Sequence, residues 1–266
     1  MSRGDLFAVD GIADRVSRLR VATDQDPFMG PQWVDGFTRA LERLGENDQI
    51  SAVVLEGGER TFSAGASREA LLAGGSAQAG IAEYAGRAAG ALLDLPVPVV
   101  AAMAGHAIGG GLLLGLWSDA LVMAEESLYG ANFISLGFTP GMGATCAVPE
   151  AFGATLGREM LLTGRLLTGR SIRAMRCPLS HAVRPRDQVP EAALSLAGEM
   201  AAAPRPALVL LKQTLARPRR DALERALAAE RADHARLFSD PRTLGEIASR
   251  YPPRGKEAEH EREAAP

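Results

Sequence analysis

Two glycine-rich segments carry the strongest chemical signal in this chain of 266 residues. In FSAGASREALL (62–72), Gly65 follows a predicted strand and a helix begins near Ser67, which leaves early helical N–H groups unpaired. In GHAIGGGLLLG (105–115), three glycines open an apolar helix, so a backbone N–H can approach a ligand with no Cβ in the way. Two such donors converging on one point form an oxyanion hole, which stabilises negative charge on a carbonyl oxygen by roughly 3–4 kcal/mol per donor.

Other uses of glycine-rich turns do not fit the surrounding residues. The G-x-G-x-x-G dinucleotide pattern is absent and no G-K-[ST] follows the glycines, so neither segment is a phosphate loop. Cys146 and Cys177 are the only cysteines and lack a C-x-x-C spacing, which predicts buried or partly buried thiols. We therefore expect no metal and no resident cofactor.

The elements that must position these segments alternate between helix and buried strand. A helical ALERLGEN leads into the apolar run SAVVLEGG between residues 40 and 58, and GIAEYAGRAAGALLDL (80–95) leads into VVAAMAG in the same way. GGGLLLGLWSD (109–119), read as a buried helix, precedes the strand-like ALVMAEE. This alternation predicts an α/β architecture, with sites at strand ends. From Ala154 onward the pattern is helical.

Composition narrows the class of partner. The chain is 47% hydrophobic, which is enough for one sizeable core, and its net charge is −3 with both signs interspersed. We expect no nucleic-acid partner and no membrane partner, because there is neither a basic patch nor an apolar span of about 20 residues. The charged N-terminus predicts a cytoplasmic location.

Taken together, these motifs resemble the crotonase (enoyl-CoA hydratase) superfamily from about residue 52 to 238. The matching text is FSAGAS, PVPVVAAMAGHAIGGG, LGFTPGMGAT and EMLLTGR. The resemblance implies a crotonase-like ββα spiral core in residues 1–195 and a C-terminal helical trimerisation region in 196–250, hence a homotrimer. Residues 251–266 are polar and are expected to be a disordered tail.

By the same resemblance, the oxyanion donors are the N–H groups of Ala66 and Gly110. The substrate is then an acyl thioester on the phosphopantetheine of an acyl carrier protein or of coenzyme A, and these alternatives stay open. Hydratases of the superfamily carry two catalytic glutamates at positions that Leu113 and Phe133 occupy here. Without that carboxylate pair, water cannot be added across an alkene in the usual way.

One branch of the superfamily is consistent with the absence of both catalytic glutamates. The segment YGANFISLGFTPGMGATCAVPE (129–150) resembles the decarboxylases of polyketide β-branching, which act on a 3-methylglutaconyl group on an acyl carrier protein. Loss of CO₂ would leave a dienolate whose oxygen the two N–H groups stabilise, and Leu113 and Phe133 would help to desolvate the carboxylate. Asn132 and Tyr129 flank Phe133 and could equally pack or line the pocket.

The branch also places a histidine in its C-terminal helix, in an E-x-x-x-H-x-x-x-F context that His234 matches. Leu223, Leu227, Glu230, His234 and Phe238 recur at steps of three and four residues, so they share one helix face and His234 is predicted to point inward. By resemblance it reprotonates the dienolate. Glu230, one turn away, could favour the imidazolium form.

This chain departs from the branch in having no lysine before Lys212. The branch carries a lysine after the first oxyanion segment, thought to engage the substrate carboxylate. Arg68, Arg87 and Tyr84 are the nearby substitutes, and Arg68 is the preferred candidate because it lies two residues after Ala66.

Two other functions remain open. An enoyl-thioester isomerase could use the same oxyanion hole, and a catalytically silent scaffold could bind acyl carriers or RNA. His106, beside the triple glycine, is expected to be structural, and His181 and His260 are expected in a surface loop and in the tail.

Overall fold

The computed structural model describes residues 7–24, 28–72 and 76–251, with the side chains of 76–83 and 85 outside that description. The strands are β1 (Val9–Ala13), β2 (Val16–Arg20), β3 (Phe28–Met29), β4 (Ala52–Glu56), β5 (Thr61–Ser63), β6 (Gly65–Ala66), β7 (Val99–Met103), β8 (His106–Ile108), β9 (Ala120–Ala124), β10 (Leu128–Gly130), β11 (Leu167–Thr168) and β12 (Val183–Arg184). The helices are α1 (Pro31–Glu46), α2 (Arg68–Leu72), α3 (Ser76–Asp94), α4 (Gly110–Trp117), α5 (Ala144–Phe152), α6 (Ala154–Thr163), α7 (Gly169–Ala174), α8 (Val189–Ala201), α9 (Arg205–Phe238) and α10 (Pro241–Arg250).

Within the described residues, successive ββα units contribute strands to two larger sheets, and β3 pairs with β6 in a separate two-stranded parallel sheet. One strand of each unit joins a six-stranded sheet of order β1-β2-β4-β7-β9-β12, and the next joins a four-stranded sheet of order β11-β10-β8-β5. Pairing in the larger sheet is parallel apart from β1 with β2. Because each unit advances by one strand in both sheets, the chain winds into the ββα spiral that the resemblance implies.

The central strands are apolar throughout because both faces of the larger sheet are covered. Val54 and Val100 point to one face, where α8 packs. Their neighbours Val53, Leu55 and Val99 point to the opposite face and join the main core beneath α1, α3 and α4. This two-sided burial confirms the predicted alternation of helix and buried parallel strand.

Some parts of the predicted organisation differ from the structure. Residues 195 and 196, between which the domain boundary is predicted, both lie inside α8, which packs on the larger sheet. The helical prediction after Ala154 missed β11 and β12, because two-residue strands are too short to show a period. From residue 252 onward, the predicted tail lies outside the described residues.

The C-terminal helices pack on the core. α9 runs for 34 residues and lies along α3, and α10 contacts α2 and α9. Among the described residues no single helix is long and apolar enough to cross a membrane, while one pair bent by 110°, Arg186–Ala201 with Arg205–Phe238, passes on length and composition alone.

A buried ion pair joins α9 to the spiral core, and we expect its removal to destabilise the protein. Lys212 Nζ lies 2.6 Å from each carboxylate oxygen of Asp119, whose Oδ2 also accepts from the Val99 N–H. Burial lowers the pKa of Lys212, and Asp119 opposes that effect. Lys212→Ala should therefore lower the free energy of unfolding in urea by about 3–5 kcal/mol, because it leaves a partly buried carboxylate short of its partner.

The matched control is Gln213→Ala, at the exposed position that follows Lys212 on the same helix. A loss below about 1 kcal/mol for Lys212→Ala would mean that Arg219, 3.8 Å from Asp119, is a sufficient partner on its own.

Candidate active site

The two glycine-rich turns meet at the N-terminus of α4. Gly65 has φ +75°, and a Cβ placed on it would lie 2.9 Å from the Gly110 nitrogen and 3.0 Å from the Ile108 oxygen. Gly111 is equally constrained, since its Cβ would lie 2.0 Å from the backbone oxygen of Ser63. Only glycine permits this approach, which brings the predicted donor segments together in space.

A cavity of about 360 Å³ opens beside this junction, and both Ala66 and Gly110 line it. Gly110 begins α4, so its N–H has no acceptor within the helix, and the helix dipole adds positive potential at that point. The geometry therefore suits a carbonyl oxygen that becomes negatively charged.

The cavity wall is mostly apolar. The polar side chains among the described residues that line it are Thr61, Tyr84, His106, Asn132, His234 and Tyr251. No Asp, Glu, Lys or Arg side chain is among the described lining residues. An anionic group bound here would thus face polar side chains and backbone dipoles, with no fixed cation among the described lining residues.

His234 lines the cavity from α9, and its side chain is buried, as its helix face predicts. Nε2 lies 2.8 Å from the Thr139 carbonyl oxygen. Because a carbonyl only accepts, Nε2 carries the proton. Phe138 and Phe238 contact the ring edge-on, with centroids 6.3 and 5.5 Å away.

The expected effect of Glu230 on His234 is wrong. The Glu230 carboxylate accepts hydrogen bonds from Gly143 and Thr145, and burial lowers the pKa of His234, which favours the neutral imidazole. Its Nδ1 is buried and has no hydrogen-bond partner among the described residues.

Three predicted substrate-binding residues do not reach the cavity. The Arg68 guanidinium donates to the Ala248 carbonyl in the last turn of α10, at 3.1 Å, where a cation suits the helix dipole. The alternative cation, Arg87, pairs with Asp35 at 3.0 Å. Leu113 is fully buried in the main core beneath the cavity-lining glycines. The preference for Arg68 is therefore corrected: its side chain is used to hold α10.

The structure brings Tyr84, Asn132 and Phe133 to the cavity wall. Tyr129 instead packs below it, where its hydroxyl donates to the Met103 carbonyl and accepts from the Ala124 N–H, which decides between the two roles left open for it. Burial raises the pKa of Tyr129 well above its ordinary value.

His106 has the structural contact that was expected, and it also lines the cavity. Its Nδ1 accepts from the Leu128 N–H at 2.9 Å, which ties β8 to β10. His181 is exposed on the turn Pro178–Ala182, as predicted, whereas His260 lies outside the described residues.

Tyr251 was missed from the sequence because it sits between an amphipathic helix and a polar tail, where no pattern singles it out. Its hydroxyl donates to the Ala66 carbonyl at 2.8 Å, and its ring lines the cavity. With the Arg68 contact to Ala248, this bond fastens α10 to the first oxyanion segment.

The cysteines are partly buried free thiols, as predicted. Over the residues that the structure describes, no three His, Cys, Asp or Glu side chains come together as metal ligands.

Comparisons with known proteins identify the family of this chain. The model of the enoyl-CoA hydratase/isomerase family matches residues 29–249. Bacillaene synthase decarboxylase PksI of Bacillus subtilis is 38% identical over 235 residues, which cover 88% of this chain and 92% of PksI.

Two solved structures are similar to this chain in both fold and sequence. A structure from a dehydratase/decarboxylase enzyme couple involved in polyketide β-branching has a TM-score of 0.83 and 32% identity, and covers 93% of this chain and 100% of that one. A tyrosine-to-phenylalanine variant of the ECH2 decarboxylase domain of CurF from Lyngbya majuscula has a TM-score of 0.80 and 30% identity, over 92% of this chain and 99% of that domain.

Proposed function

This chain belongs to the enoyl-CoA hydratase/isomerase family, and we propose that it decarboxylates a 3-methylglutaconyl-type thioester on an acyl carrier protein during polyketide β-branching. The observation that carries the proposal is a cavity with the backbone donors Ala66 and Gly110 on its wall and no carboxylate among its described lining side chains. PksI and the CurF domain are named decarboxylases, and decarboxylation is the activity of this chain as well.

The chemistry follows from the electron flow. When the bond to the carboxylate carbon breaks, its electron pair moves through the conjugated alkene to the thioester oxygen, and CO₂ leaves. Ala66 and Gly110 donate hydrogen bonds to that oxygen as its charge grows, so they act more strongly on the transition state than on the substrate. One proton then adds to Cα or Cγ of the dienolate and completes the reaction.

The absence of a cation from the described cavity wall favours CO₂ loss. A carboxylate held by a strong ion pair would be stabilised in the ground state, whereas in this apolar cavity it loses its water without gaining a fixed counter-charge. Phe133 contributes to the apolar wall, and Tyr84 and Asn132 offer dipoles for orientation.

We assign the proton delivery to His234. Burial lowers the pKa of His234 and favours the neutral imidazole, so a bound anionic substrate must raise that pKa before the ring can donate a proton. A reaction that needs the protonated ring is fast below the pKa of His234 and slows as the pH rises through it.

The pH profiles should reveal this coupling. Because kcat reports the substrate complex and kcat/KM the free enzyme, kcat should fall at a higher pH than kcat/KM does. Rate measurements between pH 5 and pH 9, roughly two pH units on either side of neutrality, test this expectation. A single pKa governing both profiles would mean that the substrate does not change the protonation of His234.

The defining assay uses 3-methylglutaconyl-acyl carrier protein. We expect the product to have lost the mass of CO₂, and NMR of the product then locates its double bond. Crotonyl-CoA is the control, and its hydration at about 1 s⁻¹ or faster would contradict the assignment. An isomer of unchanged mass would identify an isomerase, and unaltered substrate would point to a silent scaffold.

We also propose a homotrimer assembled through the C-terminal helical region. Leu210, Leu211 and Leu215 on α9 are 65%, 55% and 58% exposed, a concentration of large apolar side chains that favours cover by another subunit. Light scattering should give a trimeric mass at micromolar concentration, and Leu211→Asp with Leu215→Asp should reduce it. A monomeric mass for the unmodified protein would contradict the proposal.

A further inference from the structure

A buried glutamate on α9 is left unused by the mechanism above. Glu230 is 3% exposed, and its carboxylate accepts three hydrogen bonds: from the Gly143 N–H at 2.8 Å, the Thr145 N–H at 3.1 Å and the Thr145 hydroxyl at 2.8 Å. These donors belong to the start of α5, so the carboxylate occupies a helix N-terminus, where an anion is favoured.

The segment that Glu230 holds is conformationally demanding. Met142 and Gly143 both have positive φ, 60° and 72°, and Met142 is not a glycine. A non-glycine residue keeps a positive φ only when the surrounding contacts hold its backbone in that conformation. The indole N–H of Trp117 donates to the Met142 carbonyl at 2.8 Å, which supplies a second hold from α4.

The other end of the same segment contacts His234. The Thr139 carbonyl accepts from His234 Nε2, and a Cβ on Gly141 would lie 3.0 Å from Cε1 of the ring. Glu230 and His234 lie one turn apart on α9, so they hold the segment 139–145 at two points.

From this arrangement we propose that Glu230 is a positioning residue for His234. Its carboxylate fixes the segment 139–145 so that the Thr139 carbonyl faces Nε2, which keeps the proton on Nε2 and leaves Nδ1 as the basic nitrogen. Glu230 is not among the residues that line the cavity, so we infer that its effect on His234 passes through the backbone of the segment 139–145. The consequence for catalysis rests on the proposed role of His234, whereas the effect on the ring does not.

The test uses Glu230→Gln in the full chain. A glutamine presents an NH₂ group to one of the backbone N–H donors, so two donors face each other and the segment must shift. With ¹⁵N-labelled histidine, whose spectrum holds signals from only four residues, the free wild-type protein should show His234 as the Nε2–H tautomer. In Glu230→Gln the signals should move towards a tautomer mixture, and kcat should fall about 10- to 100-fold with KM nearly unchanged.

Thr145→Val serves as a milder variant if Glu230→Gln does not fold, because it removes only the hydroxyl bond and should change the signals in the same direction. Glu224→Gln, at an exposed position of the same helix, is the matched control and should change neither readout. Wild-type tautomer signals in folded Glu230→Gln, or in Thr145→Val if only that variant folds, would overturn the inference. If the tautomer changes in Glu230→Gln but the wild-type protein releases no CO₂ from the substrate, the inference about Glu230 is upheld and the proposed function is rejected.

Discussion

Replacing His234 by alanine is expected to lower kcat by about 10²–10⁴-fold, the range typical for loss of a general acid. A group that only delivers a proton acts after the substrate has bound, so KM should change little. The side chain is buried against Phe138 and Phe238, and circular dichroism with thermal unfolding must confirm that the variant is folded.

The control is His181→Ala, which removes an exposed histidine whose Nδ1 lies 2.7 Å from the Pro178 carbonyl. It should leave kcat unchanged. If folded His234→Ala stays within about threefold of wild type, the proton comes from another group or from water. A raised KM with unchanged kcat would instead assign His234 to binding the substrate carboxylate.

Gly65→Ala is expected to lower kcat by about 10²–10³-fold, the loss typical of removing one oxyanion donor. The new Cβ would lie 2.9 Å from the Gly110 nitrogen, so the donor must move or lose access to the substrate oxygen. A positive φ costs an alanine only about 1–2 kcal/mol, which is small beside a typical stability of 5–15 kcal/mol. The variant should therefore fold and still fail in catalysis.

Gly198→Ala provides the comparison. Gly198 lies in α8 with no atom within 4 Å of a new Cβ, so this change should be neutral or slightly stabilising and should leave kcat alone. Near-normal turnover by folded Gly65→Ala would show that the oxyanion does not lie at the meeting point of the two glycine-rich turns.

The oxyanion segments and the alternating elements could be predicted because local chemistry dictates them. A sharp strand-to-helix turn needs glycine at Gly65 and Gly109, and a parallel strand covered on both faces needs an unbroken apolar run such as VVAAM. The helix face carrying His234 followed from spacing alone, and the structure buries that face as predicted.

Partners of long polar side chains could not be predicted in the same way. Arg68 starts two residues from Ala66, yet its guanidinium bonds to a carbonyl 180 residues further along the chain. Several single bonds separate an arginine Cα from its charge, so position in sequence leaves a wide region within reach. Packing of α10 then decides which acceptor the guanidinium meets.

The sequence by itself determined the turn chemistry and the alternation of helix and buried strand, because backbone conformation and residue identity are local properties. The spiral of ββα units and the loss of both hydratase glutamates followed from the family resemblance. Only the tertiary structure decided that Leu113 lies in the core, that Tyr251 reaches the cavity and that burial lowers the pKa of His234. Those outcomes depend on burial and on hydrogen-bond partners from distant elements. Protonation in particular is set by the surrounding dielectric and the charges within a few ångströms, which exist only after the chain has folded.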